Sequence, residues 1–270
     1  MTEKFIFKNH RLVEEKQAQV SIHERGFLFG DGIFETLKIF DGKIYDYKSH
    51  EDRIEAGLKA LKFTAKIDDL EKKSHQLIAK NKIKNGILKI SISRGIGSAG
   101  YLPTYESDPL IIIQTLSERK LPEKISLGIS SQKTPQNPLG KTMNALPYIL
   151  TKIDAQEKNL FDCLMISQKN FIAETSSANI FWVKNGKIFT PSKACGILLG
   201  TVRKKILKIS PIKIKEVEAK ISHLENADEI FLTNSSFLVL PVDELVFSKN
   251  KIVKLQKKLG SEILNLLKNS

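Results

Sequence analysis

Two cysteines, Cys163 and Cys195, are all that 270 residues provide. They give no disulfide framework, and both are expected to be reduced packing residues rather than reactive thiols. Glycine (15) and proline (9) are sparse and the apolar residues are evenly spread, which argues against extensive disorder. No apolar run approaches the roughly 20 residues of a membrane span. The first eleven residues, Met1 to Arg11, lack the apolar core of a signal peptide, so a soluble, cytoplasmic protein without a membrane partner is expected. There is no internal repeat and no low-complexity tract.

Arginine is the scarcest charged residue. Only six of the 43 basic side chains are arginine (Arg11, Arg25, Arg53, Arg94, Arg119, Arg203); the other 37 are lysines dispersed along the chain. The net charge of +13 therefore describes a solvated surface, not a nucleic-acid footprint, which would gather Lys and Arg on one face. Its functional consequence is a mild attraction for anionic metabolites. No nucleic-acid partner and no metal are expected.

What is present is a core-forming chain, 41% hydrophobic, long enough for one large domain or two small ones. Apolar stretches flank Asn9-His10 and Asp41-Gly42 as hairpins. Ser49 with Asp52 at capping-box spacing predicts a helix that places Arg53 in its first turn. Asp68 with Glu71 predicts another, to about Asn81. Residues 87–93 and 110–116 are predicted strands around the glycine-punctuated loop Arg94 to Pro103. Further expectations are a helix with Pro147 in its first turn, strand pairs around Gln168-Lys169-Asn170 and Asn185-Gly186, a helix from Gly200 to Ile209, and a terminal helix over 253–268. Hairpin strands with interspersed helices in two halves make the fold class α+β, dominated by antiparallel sheet. The halves are divided as residues 1–118 and 125–270, joined by a polar linker over 119–124.

One stretch concentrates chemistry. Glu174 ends a short apolar run, and Asn179-Ile180-Phe181, Thr190-Pro191 and Leu198-Leu199-Gly200-Thr201-Val202-Arg203 follow within thirty residues. A carboxylate, a glycine turn and a basic helix suit a flat anionic cofactor. Lys141, alone one lysine among many, completes the needs of a pyridine-ring imine cofactor. These are a lysine for the imine, a carboxylate for the ring nitrogen and donors for a phosphate.

The succession Lys141, Glu174-x-x-x-x-Asn179-Ile180-Phe181, Thr190-Pro191 and Leu198-x-Gly200-x-x-Arg203 closely resembles the class IV aminotransferases, pyridoxal-phosphate enzymes of fold type IV. Arg25-Gly26-x-x-x-Gly30-Asp31-Gly32-x-Phe34-Glu35, His50-x-x-Arg53 and Asp228 to Ser235 with Pro241-Val242 extend the likeness over nearly the whole chain. The resemblance implies two domains like those of D-amino-acid aminotransferase, pyridoxal 5'-phosphate in the cleft between them, and a homodimer. It implies Lys141 as the imine-forming lysine, Glu174 as the partner of the ring nitrogen, Arg53 as a phosphate ligand and Leu198 against one ring face. Gly200, the amides of Thr201 and Val202, and the Ser235 hydroxyl complete the phosphate cup. Relatives often have threonine where this chain has Val202.

The reaction depends on the substrate pocket. The positions at which D-amino-acid aminotransferases hold the substrate carboxylate read Phe34, Ala99 and Tyr101, so that trap is dismantled. Branched-chain enzymes usually show Phe-Glu-Gly and a tyrosine shortly after the lysine, where this chain has Phe34-Glu35-Thr36 and Leu146. Aminodeoxychorismate lyases share the threonine at Thr36, the Lys141-Thr142-Met143-Asn144 motif and the Arg94 to Tyr101 loop, though they often carry arginine where Ala99 stands. The expected activity is a lyase converting 4-amino-4-deoxychorismate to 4-aminobenzoate and pyruvate, in folate biosynthesis. Lys141 would carry the proton, and Thr36 either donates one to the leaving group or only fills space in its strand. The alternative is an aminotransferase acting on a branched-chain or D-amino acid.

Overall fold

The computed structural model describes residues 4–103, 108–118, 120–136, 138–209 and 213–268. Arg119, the first residue of the expected linker, and Asn137 lie outside the described residues. Two compact units are formed, Met1–Arg119 with Leu139–Ala145, and Lys120–Pro138 with Leu146–Ser270.

In the first unit the order is β1 (Phe5–Lys8), β2 (Arg11–Glu14), α1 (Arg25–Phe29), β3 (Gly32–Phe40), β4 (Lys43–Ile44), α2 (Tyr47–Ala60), α3 (Leu70–Lys80), β5 (Gly86–Ser93) and β6 (Leu110–Leu116). The strands form a six-stranded sheet in the order β2-β1-β6-β5-β3-β4, with every pair antiparallel. β3 alternates, so Ile33, Leu37 and Ile39 face a core shared with Leu88, Ile90, Ile92 and Ile113 and with Ile54, Leu58, Leu70 and Leu77 of α2 and α3. Burying each such side chain is worth about 1.5–3 kcal/mol. Phe34, Thr36 and Lys38 are left on the opposite, half-open face.

Helix starts differ from the sequence expectation for a local reason. α2 begins at Tyr47 because Asp46, not Ser49, is its N-cap, in a left-handed conformation (φ 53°), and the Ser49 hydroxyl donates to Asp46 Oδ1 at 2.9 Å. Arg53 therefore lies in the second turn. α3 begins at Leu70, and the Asp68/Glu71 box does not form; Asp69 instead accepts from Lys73 at 2.9 Å. Residues 25–29, read as part of a glycine-rich turn, make one helical turn capped by the Glu24 carboxylate on Phe27 N (2.8 Å).

The second unit runs β7 (Ser126–Lys133), α4 (Leu146–Glu157), β8 (Asp162–Ile166), β9 (Ile172–Thr175), β10 (Asn179–Lys184), β11 (Lys187–Pro191), α5 (Thr201–Ile209), β12 (Ile214–Val217), β13 (Glu229–Asn234), β14 (Leu238–Pro241), β15 (Glu244–Ser248), β16 (Lys251–Lys254) and α6 (Lys258–Lys268). Its ten strands follow β12-β11-β10-β9-β8-β7-β15-β16, with β13 and β14 branching from β10. β7–β8, β7–β15 and β11–β12 are parallel, the others antiparallel. β10 is buried from Asn179 to Val183 without alternation, as a central strand covered on both faces should be. Phe181 stacks on Phe231 (centroids 5.1 Å), and Trp182 donates to His223 Nδ1 at 2.9 Å. The terminal helix starts at Lys258, not 253, because 251–254 pair with β15 and the Glu229 carboxylate accepts the first-turn amide of Leu259 at 2.8 Å.

Cys163 and Cys195 are buried and unpaired, and burial pushes both thiols up. Among the described residues, no helix is long and apolar enough to cross a membrane.

Candidate active site

In the first unit, Lys141 is carried by a segment that pairs with the start of β3. Phe34 N donates to Lys141 O and Met143 N to Gly32 O, both at 2.9 Å, and Ile33 bridges Thr142. Gly30 (φ 66°) permits the approach, since a Cβ there would meet Asn144 N at 3.1 Å. Lys141 Nζ lies 4.5 Å from the Phe34 ring centroid. Thr36, two residues on, shares the face of Phe34, and its register partner on β5 is Lys89, whose Nζ is 5.4 Å from the same ring. Lys141, Phe34, Thr36 and Lys89 are thus brought together on one half-open sheet face.

On the opposite face sits a charged group built on Glu35, whose place in the Arg25 to Glu35 motif carries no role of its own in the sequence. Glu35 is 2% exposed and accepts from Arg53 Nε and Nη2, each at 2.7 Å, and from His50 Nδ1 at 2.6 Å. Burial alone would raise the Glu35 pKa, but the bonds from Arg53 and His50 outweigh it and hold the carboxyl at about 2. Two bonds to one carboxylate fix the plane of the Arg53 guanidinium.

A group whose folded pKa is depressed stabilises the fold above its unfolded value and loses that contribution as pH falls through the folded one. For Glu35 the window runs from 4.5 down to about 2. On the order of 3 kcal/mol is expected to disappear across it. Urea unfolding at about pH 7 and about pH 3 should show wild type losing more stability than Glu35→Gln across this range; equal losses would contradict the pairing.

The loop bearing Ala99 and Tyr101 is pinned by Arg25, which donates to the carbonyls of Ser98 (2.9 Å), Gly100 (2.8 Å) and Tyr101 (3.0 Å) and pairs with Asp31 (2.9 Å). Arg94 Nε shares Asp31 Oδ2 with Arg25 at 2.8 Å, and Arg94 Nη2 reaches Oδ1 at 3.1 Å. Burial works against the Asp31 charge, yet bonds from Arg94 and Arg25 keep its pKa below the usual range. Ala99 and Tyr101 are exposed, Tyr101 at 90%. Arg25, at 3% exposure, is committed to the loop and to Asp31.

In the second unit, Glu174 is the penultimate residue of β9 and lies directly opposite Asn179, the first residue of β10. It is 3% exposed, and Oε2 accepts Asn179 Nδ2 and the Leu198 amide, both at 3.0 Å. Asn179 Nδ2 also donates to Leu198 O at 2.7 Å, so one amide ties Glu174 to the half-buried Leu198. Oε1 accepts the Tyr148 hydroxyl at 3.1 Å. Burial and the neighbouring Glu174 charge push the phenol pKa up, which keeps it a donor. Neither Asn179 nor Tyr148 was assigned a role by the sequence. The Asn179 position in the motif could have signalled it; nothing local marks Tyr148.

Gly200 is required by close approach, since a Cβ would fall 2.2 Å from Asn179 Oδ1. It opens the nine-residue α5, whose first turn carries the amides of Thr201 and Val202. Val202 is 3% exposed, so its side chain serves the core. Thr201 Oγ1 and Ser235 Oγ are 3.3 Å apart; Ser235 is set in its turn by Asn234 Oδ1, which accepts the amides of Ser236 (2.9 Å) and Phe237 (3.1 Å). A helix N-terminus with two hydroxyls suits a phosphate, and a buried oriented carboxylate suits a protonated ring nitrogen. The donor set fits pyridoxal phosphate.

Comparison with known proteins gives concordant matches. The family model for amino-transferase class IV matches residues 32–245. A Methanocaldococcus jannaschii protein, "Putative branched-chain-amino-acid aminotransferase", is 28% identical over 275 residues, spanning 97% of this chain and 96% of its own. Aminodeoxychorismate lyase of Vibrio harveyi is 29% identical over 251 residues, 87% and 91% respectively. The structure of the T.th. branched-chain amino acid aminotransferase complexed with N-(5'-phosphopyridoxyl)-L-glutamate superposes with a TM-score of 0.88 at 19% identity, over 100% of this chain and 94% of that one.

Proposed function

The chain belongs to the class IV aminotransferase family, and from that premise we propose that it is a lyase converting 4-amino-4-deoxychorismate to 4-aminobenzoate and pyruvate. The family's cofactor, pyridoxal 5'-phosphate, supplies when bound an electron sink for the pair left by proton removal beside the substrate amine. The remaining chemistry is assigned to side chains. Lys141 would hold the bound cofactor covalently and, once released as a free amine, would take the proton from the carbon bearing nitrogen. Thr36 would donate its proton to the ether oxygen as the C–O bond breaks, and the proton taken up by Lys141 would restore the threonine hydroxyl. The ring becomes aromatic, and the enol released becomes pyruvate.

Arg53, the Thr201 and Val202 amides and the Ser235 hydroxyl bind phosphate; Gly200 permits that approach. Glu174 would partner the ring nitrogen and keep it protonated, and Leu198 would pack on a ring face. Phe34 shapes the pocket, and Lys89 offers a substrate carboxylate the charge that Ala99 cannot; Tyr101 is assigned to the same pocket from its exposed loop.

The observation that carries this reading is the hydroxyl of Thr36 on the strand face where Lys141 meets Phe34. Elimination needs a proton for the leaving oxygen, and transamination does not. The Vibrio harveyi relative supports it. The second reading, a transaminase of branched-chain or D-amino acids, is favoured by the full-length likeness to the Methanocaldococcus jannaschii protein. The proposal includes a cytoplasmic place in folate biosynthesis and a homodimer. Leu146, Ile149, Leu150 and Ile153 lie exposed at i, i+3, i+4 and i+7 along α4, which supports self-association.

The test is supply of 4-amino-4-deoxychorismate to wild type and Thr36→Val. Wild type should release 4-aminobenzoate. The variant should lose about 10²-fold in kcat while binding the cofactor normally. Unchanged turnover in Thr36→Val would reduce Thr36 to a packing residue.

A further inference from the structure

We propose that Tyr148 is a positioning residue that holds Glu174 oriented and ionised, so that the proton shared with the cofactor ring stays on the ring nitrogen. This rests on the assignment of Glu174 to that nitrogen made above.

The geometry divides the carboxylate into two halves. Oε2 is fixed by the strand pair and the turn beside it, through Asn179 Nδ2 and the Leu198 amide at 3.0 Å each. Oε1 accepts Tyr148, which stands in the first turn of α4 and reaches Glu174 across 26 residues of sequence at 3.1 Å. The carboxylate is 3% exposed, and burial disfavours its charge. These three donors are neutral, and each hydrogen bond favours the anion over the acid.

The phenol bears on the oxygen opposite the one that Asn179 and Leu198 hold. Its hydrogen bond is strong to a carboxylate and weak to a protonated carboxyl. Removing it therefore favours transfer of the shared proton from nitrogen to Glu174. Loss of one such donor should change that proton distribution about tenfold, equivalent to about one pH unit. To the extent that the proton then rests on Glu174, the pH at which the pair as a whole releases it should also rise, since the anion left has one donor fewer.

The experiment uses the holoenzyme loaded with pyridoxal phosphate labelled with ¹⁵N in the ring, followed by NMR against pH. In Tyr148→Phe the plateau resonance should move toward the unprotonated pyridine position, and the midpoint of proton release should rise by up to about one pH unit. Tyr148→3-fluorotyrosine, a stronger donor of nearly the same size, should move both the other way and keeps the test open if Tyr148→Phe folds poorly. A structural role alone would lower Tm and leave the resonance in place. Unmoved plateau and midpoint in both folded variants would overturn the proposal. A resonance that also ignores Glu174→Gln would show instead that the assignment of Glu174 is wrong; neither outcome depends on which reaction is catalysed.

Discussion

Lys141→Ala is expected to lower turnover at least about 10⁴-fold, because one side chain is asked both to form the covalent link and to carry the proton. The fold should be retained. The segment around Lys141 is held through its backbone, by Phe34 N on Lys141 O and Met143 N on Gly32 O, and neither bond needs the side chain. The ammonium contributes a contact over the Phe34 ring, 4.5 Å from its centroid, worth about 0.5–1 kcal/mol where solvent reaches it. Loss of activity with Tm changed by only a few degrees is therefore predicted. The visible absorbance of the protein–cofactor imine should vanish in the same variant, even where cofactor remains bound. Residual absorbance of that kind would place the covalent link on another lysine.

Glu174→Ala should lower kcat about 10²–10³-fold, the range for removing one preorganised electrostatic partner. This variant should also lose stability, in contrast to Lys141→Ala. Asn179 Nδ2, the Leu198 amide and the Tyr148 hydroxyl all donate to this carboxylate. A buried donor deprived of its acceptor costs about 1–3 kcal/mol, and bonds already shared elsewhere, as Asn179 shares with Leu198 O, reduce the total. Urea unfolding and steady-state kinetics on one preparation separate the two effects. A variant as stable as wild type would mean that these bonds do not hold the turn after β11.

The sequence made the elements legible where pattern is local. β3 alternates, Asp41-Gly42 turns its hairpin, and Asn185-Gly186 joins β10 to β11, so strands and their pairing follow from period and turn chemistry. Helix starts were less legible, because α2 begins after Asp46 in a left-handed backbone with no side-chain cap bond and Glu229 caps α6 from a strand 29 residues earlier. Neither relation appears in a window of sequence. The site divides in the same way. Glu174, Gly200 and Ser235 stand in recognisable blocks, and the close contact of Gly200 with Asn179 gives the glycine its physical reason.

Long-range pairings were not legible. Residues 139–145 carry no mark of their alignment with β3, Glu35 reads as one more charged strand residue until His50 and Arg53 close on it, and Tyr148 lies 26 positions from its partner. Buried polar groups of this kind depend on partners that only the fold supplies.

The most direct test of the lyase assignment counts turnovers on 4-amino-4-deoxychorismate with no 2-oxo acid present. Elimination leaves the amine on the aromatic product and the cofactor unchanged, so 4-aminobenzoate and pyruvate should accumulate in equal amounts through many turnovers per subunit. Failure to form 4-aminobenzoate, together with transfer of an amino acid's nitrogen to the cofactor that stops at one equivalent until a 2-oxo acid is added, would contradict the lyase assignment and establish a transaminase.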